Sequence, residues 1–402
     1  MAERRSCQFS ARSQSPVRGV SSLSHRLRYT AGEQVPWRKS NANDYCNRRG
    51  GLSGLYAARL LTNLGIEFQL LEARNRFGGR ILSVDAKGDP SPDGFDLGPS
   101  WYWPAMHPRM ARIVEDLGLP AFAQHSEGDV VIERSRSEAP RRFPTMRQEP
   151  ASMRLVGGTG AIVSALVKAL PEERLHPDVR VTRIAMQDGG LHLSLRAGVT
   201  DKELVAERVI LALPPRLLAS TIDFKPALDS ATVVRWSQTA TWMAPHAKFF
   251  ALYDRAFWRE SGLSGTAQSN AGPLVEIHDA TSASGSAALF GFLGLDRKQR
   301  LAVDEAALVN ASIAQLVRLF GPPAGQPRAT LFKDWTADAF TSTEADEQAD
   351  GHPVPDPRPW ITGNWASCIS LASSETSATN PGYLAGALDA AERAVQETAR
   401  RI

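Results

Sequence analysis

The chain has 402 residues, 43% hydrophobic and 22% charged, with a formal net charge of +3. That length holds two domains with substantial cores, and so small a charge argues against nucleic-acid or membrane-surface partners. No apolar run approaches the ~20 residues of a membrane-spanning helix, so no membrane anchor is expected. Cys7, Cys46 and Cys368 stand too far apart for a disulfide framework or a metal site, which makes a reducing, cytoplasmic setting the default.

Residues 1–43 are rich in Arg and Ser and lack periodicity. That composition fits a disordered tail or an organelle transit peptide. A third expectation is a mis-called N-terminus. Gly51, Leu52, Ser53 and Gly54 look like the end of a Gly-rich dinucleotide turn, which must follow a buried apolar strand. The residues there are Asp44, Tyr45, Cys46, Asn47, Arg48 and Arg49, with Arg49 in the place of the first glycine. Read one nucleotide later, with CGN codons for Arg, this segment permits an apolar run and two glycines, although codon degeneracy allows that by chance. The expectation is a missing first strand and a frame-shifted segment before about Gly50.

From Gly51 onward the pattern is regular. Ser53 and Gly54 open a helix whose apolar positions are Leu55, Ala58, Leu61 and Leu64, and Gly65 ends it. A strand from Ile66 to Leu71 stops at Glu72, where a carboxylate can accept both hydroxyls of an adenosine ribose. The helix N-terminus would face a pyrophosphate with free N–H groups. The run Leu71–Arg80, LEARNRFGGR, resembles the second fingerprint of the FAD-dependent amine oxidoreductases, the superfamily of monoamine oxidase and L-amino-acid oxidase. The resemblance implies FAD contacts from Gly51, Ser53, Gly54, Glu72, Arg74, Gly79 and Arg80, and it recurs in pieces to residue 393.

Beyond Phe95, the same resemblance places Gly98, Ser100 and Trp101 against the flavin, although Trp101, Tyr102 and Trp103 could equally be core. A helix is expected at 108–117 and a hairpin-like section at 129–142; the region is short beside larger relatives, so the substrate cavity should be smaller or more open. A helix over 159–170, a hairpin turning at Asp188–Gly190 and a strand over 208–213 follow. Val181 carries backbone contacts to adenine by resemblance.

Lys248 opens an alternating strand running to Tyr253. Such a lysine is usually a solvated edge residue, but its spacing to Phe257 and Trp258 matches the family, where it bonds through water to flavin N5. Strands at 274–278 and 287–295 and a helix at 304–320 are expected next. Lys333, Asp334 and Trp335 resemble the family's "DW" segment, and the absence of cysteine over 336–350 implies non-covalent FAD. No second cage aromatic is recognisable there. At 373–384 the resemblance assigns Ser374, Glu375 and Leu384 to FAD and Tyr383 to one wall of the substrate cage. Leu371, Ala372 and Ser373 stand where relatives have Phe-Ala-Gly.

The implied architecture is α/β: a discontinuous Rossmann-like FAD-binding domain over 44–101, 155–237 and 338–402, with an α+β substrate domain over 102–154 and 238–337. The implied reaction oxidises the C–N bond of a small-molecule amine to an imine and reduces O2 to H2O2, with Lys248 and Tyr383 as catalytic residues. Rival readings are a carotenoid-type desaturase or protoporphyrinogen-type oxidase, and a non-functional product lacking its first strand. An amino-acid substrate would need a cation for its carboxylate, with Arg109, Arg154 and Arg259 as candidates.

Overall fold

Five parallel strands make the first layer, in the order Ile369–Leu371, Arg208–Leu211, Tyr45–Arg48, Phe68–Leu71 and Leu175–His176. The structure, a computed structural model, describes residues 45–48 by their main chain, and 50–144, 149–347 and 351–400. The tail, transit-peptide and mis-called-start expectations for residues 1–43, together with Asp44 and Arg49, lie outside them. The expectation of a missing first strand is corrected: Tyr45–Arg48 pairs with Phe68–Leu71 on one side and Arg208–Leu211 on the other. A parallel ladder is built from main-chain N–H and C=O groups, which every residue except proline supplies in full, so a polar sequence does not forbid it.

Helix Leu52–Asn63 packs on this sheet through Leu55, Ala58 and Leu61, all fully buried. Helix Leu384–Ala399 lies against it, and its buried Ala387, Ala391 and Ala394 let the two backbones come close. Helix Gly160–Lys168 adds Ile162 and Leu166 to the same core. A second sheet is the antiparallel meander Val179–Gln187, Gly190–Ala197 and Thr200–Ala206, with Asp223–Lys225 parallel at its edge. Its third strand is absent from the sequence reading because TDKELVA lies largely at the surface and has little apolar pattern.

The third sheet has seven strands, in the order Ala329–Asp334, Ala247–Tyr253, Ala287–Leu293, Leu274–Asp279, Leu263–Ser269, Asp129–Glu133 and Arg141–Phe143. Its two faces bury different partners, as a period of two requires. Phe249, Ala251 and Tyr253 meet Leu316, Leu319 and Phe320 of helix Glu305–Phe320. Phe250 and Leu252 meet Phe95, Leu97 and Phe290 on the other face. Every residue of Ala247–Tyr253 is therefore buried, and the edge reading of Lys248 is corrected. Strand Leu263–Ser269 was hidden by its small polar residues, which are satisfied internally: Ser264 bonds to the Asp129 carbonyl and Ser269 to the Glu133 carboxylate. Among the described residues no helix is long and apolar enough to cross a membrane.

Candidate active site

The two glycine clusters predicted around the first helix are pressed together. Gly78 N–H donates to the Gly50 carbonyl at 2.6 Å, and Gly51 bridges Gly78. A Cβ on Gly50 would lie 2.1 Å from the Phe77 ring, so no larger residue fits at that contact. Gly51 caps the helix without a side-chain bond, and no acidic residue occupies the first turn, so the positive end of the helix dipole faces the cavity without a competing carboxylate there. Glu72, fully buried at the end of Phe68–Leu71, accepts from Gly50 N–H at 2.9 Å and Arg74 N–H at 2.8 Å. It thereby ties the strand end to the turn.

These glycines border a cavity of about 660 Å³, closed by residues 97–103, one face of the seven-stranded sheet and the start of helix Leu384–Ala399. Of the residues predicted from sequence, Gly51, Ser53, Gly79, Arg80, Gly98, Ser100, Trp101, Lys248, Trp335, Ser374, Glu375, Tyr383 and Leu384 line it. Gly54, Glu72, Arg74 and Val181 do not; all four are buried. The Arg74 guanidinium turns to Asp338 at 2.6 Å and Thr341 at 3.0 Å, leaving its buried Nη1 without a hydrogen bond. Arg80 crosses the wall of the cavity, donating to the Trp242 carbonyl at 3.0 Å, Ser374 Oγ at 3.1 Å and Glu375 at 2.6 Å.

Lys248 reaches up from the sheet to the loop that forms the opposite wall. It is 4% exposed, and its ammonium donates to the Gly98 carbonyl at 2.5 Å, Ser100 Oγ at 3.0 Å and the Asp96 carbonyl at 3.2 Å. The Phe290 and Phe292 rings lie 4.7 and 5.1 Å from Nζ. Burial pulls its pKa down to about 7; the Asp96 carboxylate opposes that and the Arg154 charge adds to it. The oxygens and ring faces stabilise the charged form that burial penalises.

Tyr383 stands at the N-cap of helix Leu384–Ala399, beside Trp242 at 5.1 Å and Trp103 at 6.2 Å between ring centroids. All three line the cavity. Trp103 and Trp101 thus belong to the site, while Tyr102 is core. Sequence reasoning missed Trp242, Gln124, His246, Glu276, His278 and Phe292, which also line the cavity. Trp242 offered only one signal, a large aromatic outside any periodic element. The candidate carboxylate anchors stand apart: Arg109 pairs with Asp389 and Glu392, and Arg154 and Arg259 line a separate cavity.

The donor set suits a large anionic ligand that hydrogen-bonds along its length. The glycine contacts leave a backbone cradle, the helix N-terminus faces it, and buried Ser373 Oγ lines the cavity without a partner. The family model for flavin containing amine oxidoreductases matches residues 52–153 and 133–399. AofH of Mycobacterium tuberculosis, named as a flavin-containing monoamine oxidase, is 26% identical over 87% of this chain and 95% of its own length. Among solved structures, putrescine oxidase bound to putrescine superposes with a TM-score of 0.72 at 20% identity, over 89% of this chain and 99% of that one. Cyclohexylamine oxidase from Brevibacterium oxydans gives a TM-score of 0.71 at 20% identity, over 89% and 98%.

Proposed function

Because the chain belongs to the flavin containing amine oxidoreductases, enzymes that use FAD, we propose that it oxidises the C–N bond of a small amine to an imine. The imine then hydrolyses to an aldehyde or keto acid and ammonia, and O2 is reduced to H2O2. The observation that carries this reading is one cavity that joins the glycine cradle to Lys248 and to the Tyr383–Trp242–Trp103 wall. FAD, when bound, supplies the acceptor for the two electrons that leave the amine.

The chain's own residues bind and orient. The cradle at Gly51 and Gly79, Glu72 behind it, and Ser374 and Glu375 would hold the cofactor. Tyr383 and Trp242 flank the amine and exclude water with flat apolar faces. Lys248 fixes the loop at 96–100. Its three donors are all engaged, and Ser100 Oγ is the side-chain acceptor that a water can replace. His246, whose imidazole burial pushes below its ordinary value, lines the same space as a neutral group at neutral pH. In this reading residues 102–154 and 238–337 form the substrate domain and 44–101, 155–237 and 338–402 the FAD domain, and the setting is cytoplasmic.

The direct test is the visible spectrum of the purified chain before and after anaerobic addition of an amine panel. Bleaching of a flavin band supports the reading; a flavin that no amine bleaches overturns it. In this reading FAD is held without a covalent bond, which the lack of cysteine over 336–350 and the position of Cys368 away from the cavity support. Acid precipitation should therefore release all the flavin into the supernatant. Glu72→Gln should keep the turn's shape but weaken charge-assisted acceptance, raising the FAD dissociation constant about tenfold in a fluorescence titration.

A further inference from the structure

A buried cation with no bonded anion stands at the second cavity. Strand Ala121–Ala123 pairs antiparallel with Met153–Leu155, which sets Phe122 directly opposite Arg154. Opposed residues share a face, and the Phe122 ring lies 5.2 Å from the guanidinium. Arg154 is 6% exposed and donates to the carbonyls of Thr281 at 2.8 Å and Ala280 at 3.2 Å, which uses two of its five N–H groups. No carboxylate among the described residues bonds it. Asp96 and Asp279 act on it only through space, while burial and the nearby Arg259 charge disfavour its charged form. Asp279 is itself engaged by Arg259 at 2.7 and 2.9 Å and by Trp258 Nε1 at 2.7 Å.

This cavity encloses about 760 Å³. Among the described residues it shares only Gln124 and Ser152 with the site described above. Gln124 closes the wall between them, accepting from Trp101 Nε1 at 2.8 Å and donating to the carbonyls of Asp279 at 2.8 Å and His125 at 3.2 Å. Two more polar atoms of the lining stand buried without a hydrogen bond, Thr281 Oγ1 and His125 Nε2, and Thr281 is only 5% exposed. Burial and the Arg259 charge push the His125 pKa down, against Asp279 and Glu127. The Glu127 main chain bonds the ring in the sense that favours its charged form, as a carbonyl accepting from Nδ1 does, so in the neutral ring Nε2 is a lone-pair acceptor. Folded proteins leave few buried polar atoms unpaired, yet here a cation, a hydroxyl and an acceptor all line one space.

We propose that this second cavity binds a small organic carboxylate that carries a hydroxyl group, a 2-hydroxy acid being the simplest case. The carboxylate pairs with the Arg154 fork and accepts from Thr281 Oγ1. The ligand's hydroxyl donates to His125 Nε2, which a bare carboxylate would leave unpaired. Phe122, Ala123 and Ala151 offer the carbon chain an apolar wall. The site lies apart from the amine cavity and does not depend on the amine-oxidase reading.

Titration calorimetry on the flavin-loaded chain, in a buffer free of other oxyanions, compares lactate, propanoate and inorganic phosphate. Lactate should bind saturably, and propanoate about fivefold more weakly for want of the hydroxyl. Thr281→Val should weaken lactate about tenfold while the thermal midpoint stays level or rises, since the hydroxyl removed has no partner in the fold. His125→Phe should erase the preference for lactate over propanoate. Absence of saturable lactate binding, an affinity untouched by Thr281→Val, or phosphate bound more tightly than lactate overturns the proposal. None of these measurements uses amine turnover, so the amine-oxidase reading stands or falls separately.

Discussion

Lys248→Met is expected to lower both kcat/KM for amine oxidation and the rate of flavin reoxidation by oxygen, each by about 100-fold, with flavin still bound. Methionine fills similar space but leaves the Gly98 and Asp96 carbonyls and Ser100 Oγ without their donor, so the loop at 96–100 loses its anchor. Steady-state and stopped-flow measurements on wild type and variant check both rates. Unchanged rates would remove Lys248 from the chemistry. The same variant has a signature in stability. The folded-state value of about 7 lies below the ordinary 10.5, so between them the unfolded chain binds a proton that the folded chain does not. Wild-type stability gains from this group as pH rises through that window, because the cost of burying the charge, fully present below about 7, is relieved above it. Denaturant titrations at several pH values should show this gain in wild type and its absence in the Met variant. An identical pH dependence in both would mean that the surrounding oxygens and rings keep the ammonium charged despite burial.

Gly98→Ala should cost about 3 kcal/mol or more and abolish flavin retention. A Cβ at position 98 would stand 1.9 Å from the Arg80 carbonyl oxygen and 3.0 Å from its carbon. Both are main chain, so relief requires one wall of the cavity to move. That movement also displaces Arg80 from Glu375 and the Gly98 carbonyl from Lys248. Thermal unfolding and the ratio of visible to ultraviolet absorbance measure the two effects. Gly351→Ala is the control: nothing lies within 4 Å of its added methyl, and it should change stability by less than ~0.5 kcal/mol. Full flavin content in Gly98→Ala would show that this close approach is not needed for the cavity.

What could be read from sequence was what neighbours in sequence build together. The turn at Gly51, the helix after it, the strand ending at Glu72 and the second glycine cluster fall within residues 50–80, and local periodicity and turn chemistry place them. The α/β class and the family resemblance followed from that segment. Glu276 and Phe292 were invisible because their place beside Lys248 is set by which strands pair, and the strands' own sequences do not state their order. Leu263–Ser269 was missed because its burial comes from a central position, while its side chains are small and polar. Tyr45–Arg48 was misjudged for the converse reason, since composition was weighed and main-chain pairing was not.

The sheet order also dictates when the cavity can exist during synthesis. Ile369–Leu371 closes one edge of the five-stranded sheet, and Ser374, Glu375 and Tyr383 follow it into the cavity wall. A ribosome that has exposed residues only as far as 360 has released the glycine cradle and Lys248, yet neither the edge strand nor helix Leu384–Ala399 that covers Leu52–Asn63. Contacts separated by more than 300 residues, such as Tyr56 with Glu392, then wait for the tail of the chain. The cavity is thus completed only once residues 369–399 join the fold, and until then the apolar side of the first helix lacks its cover.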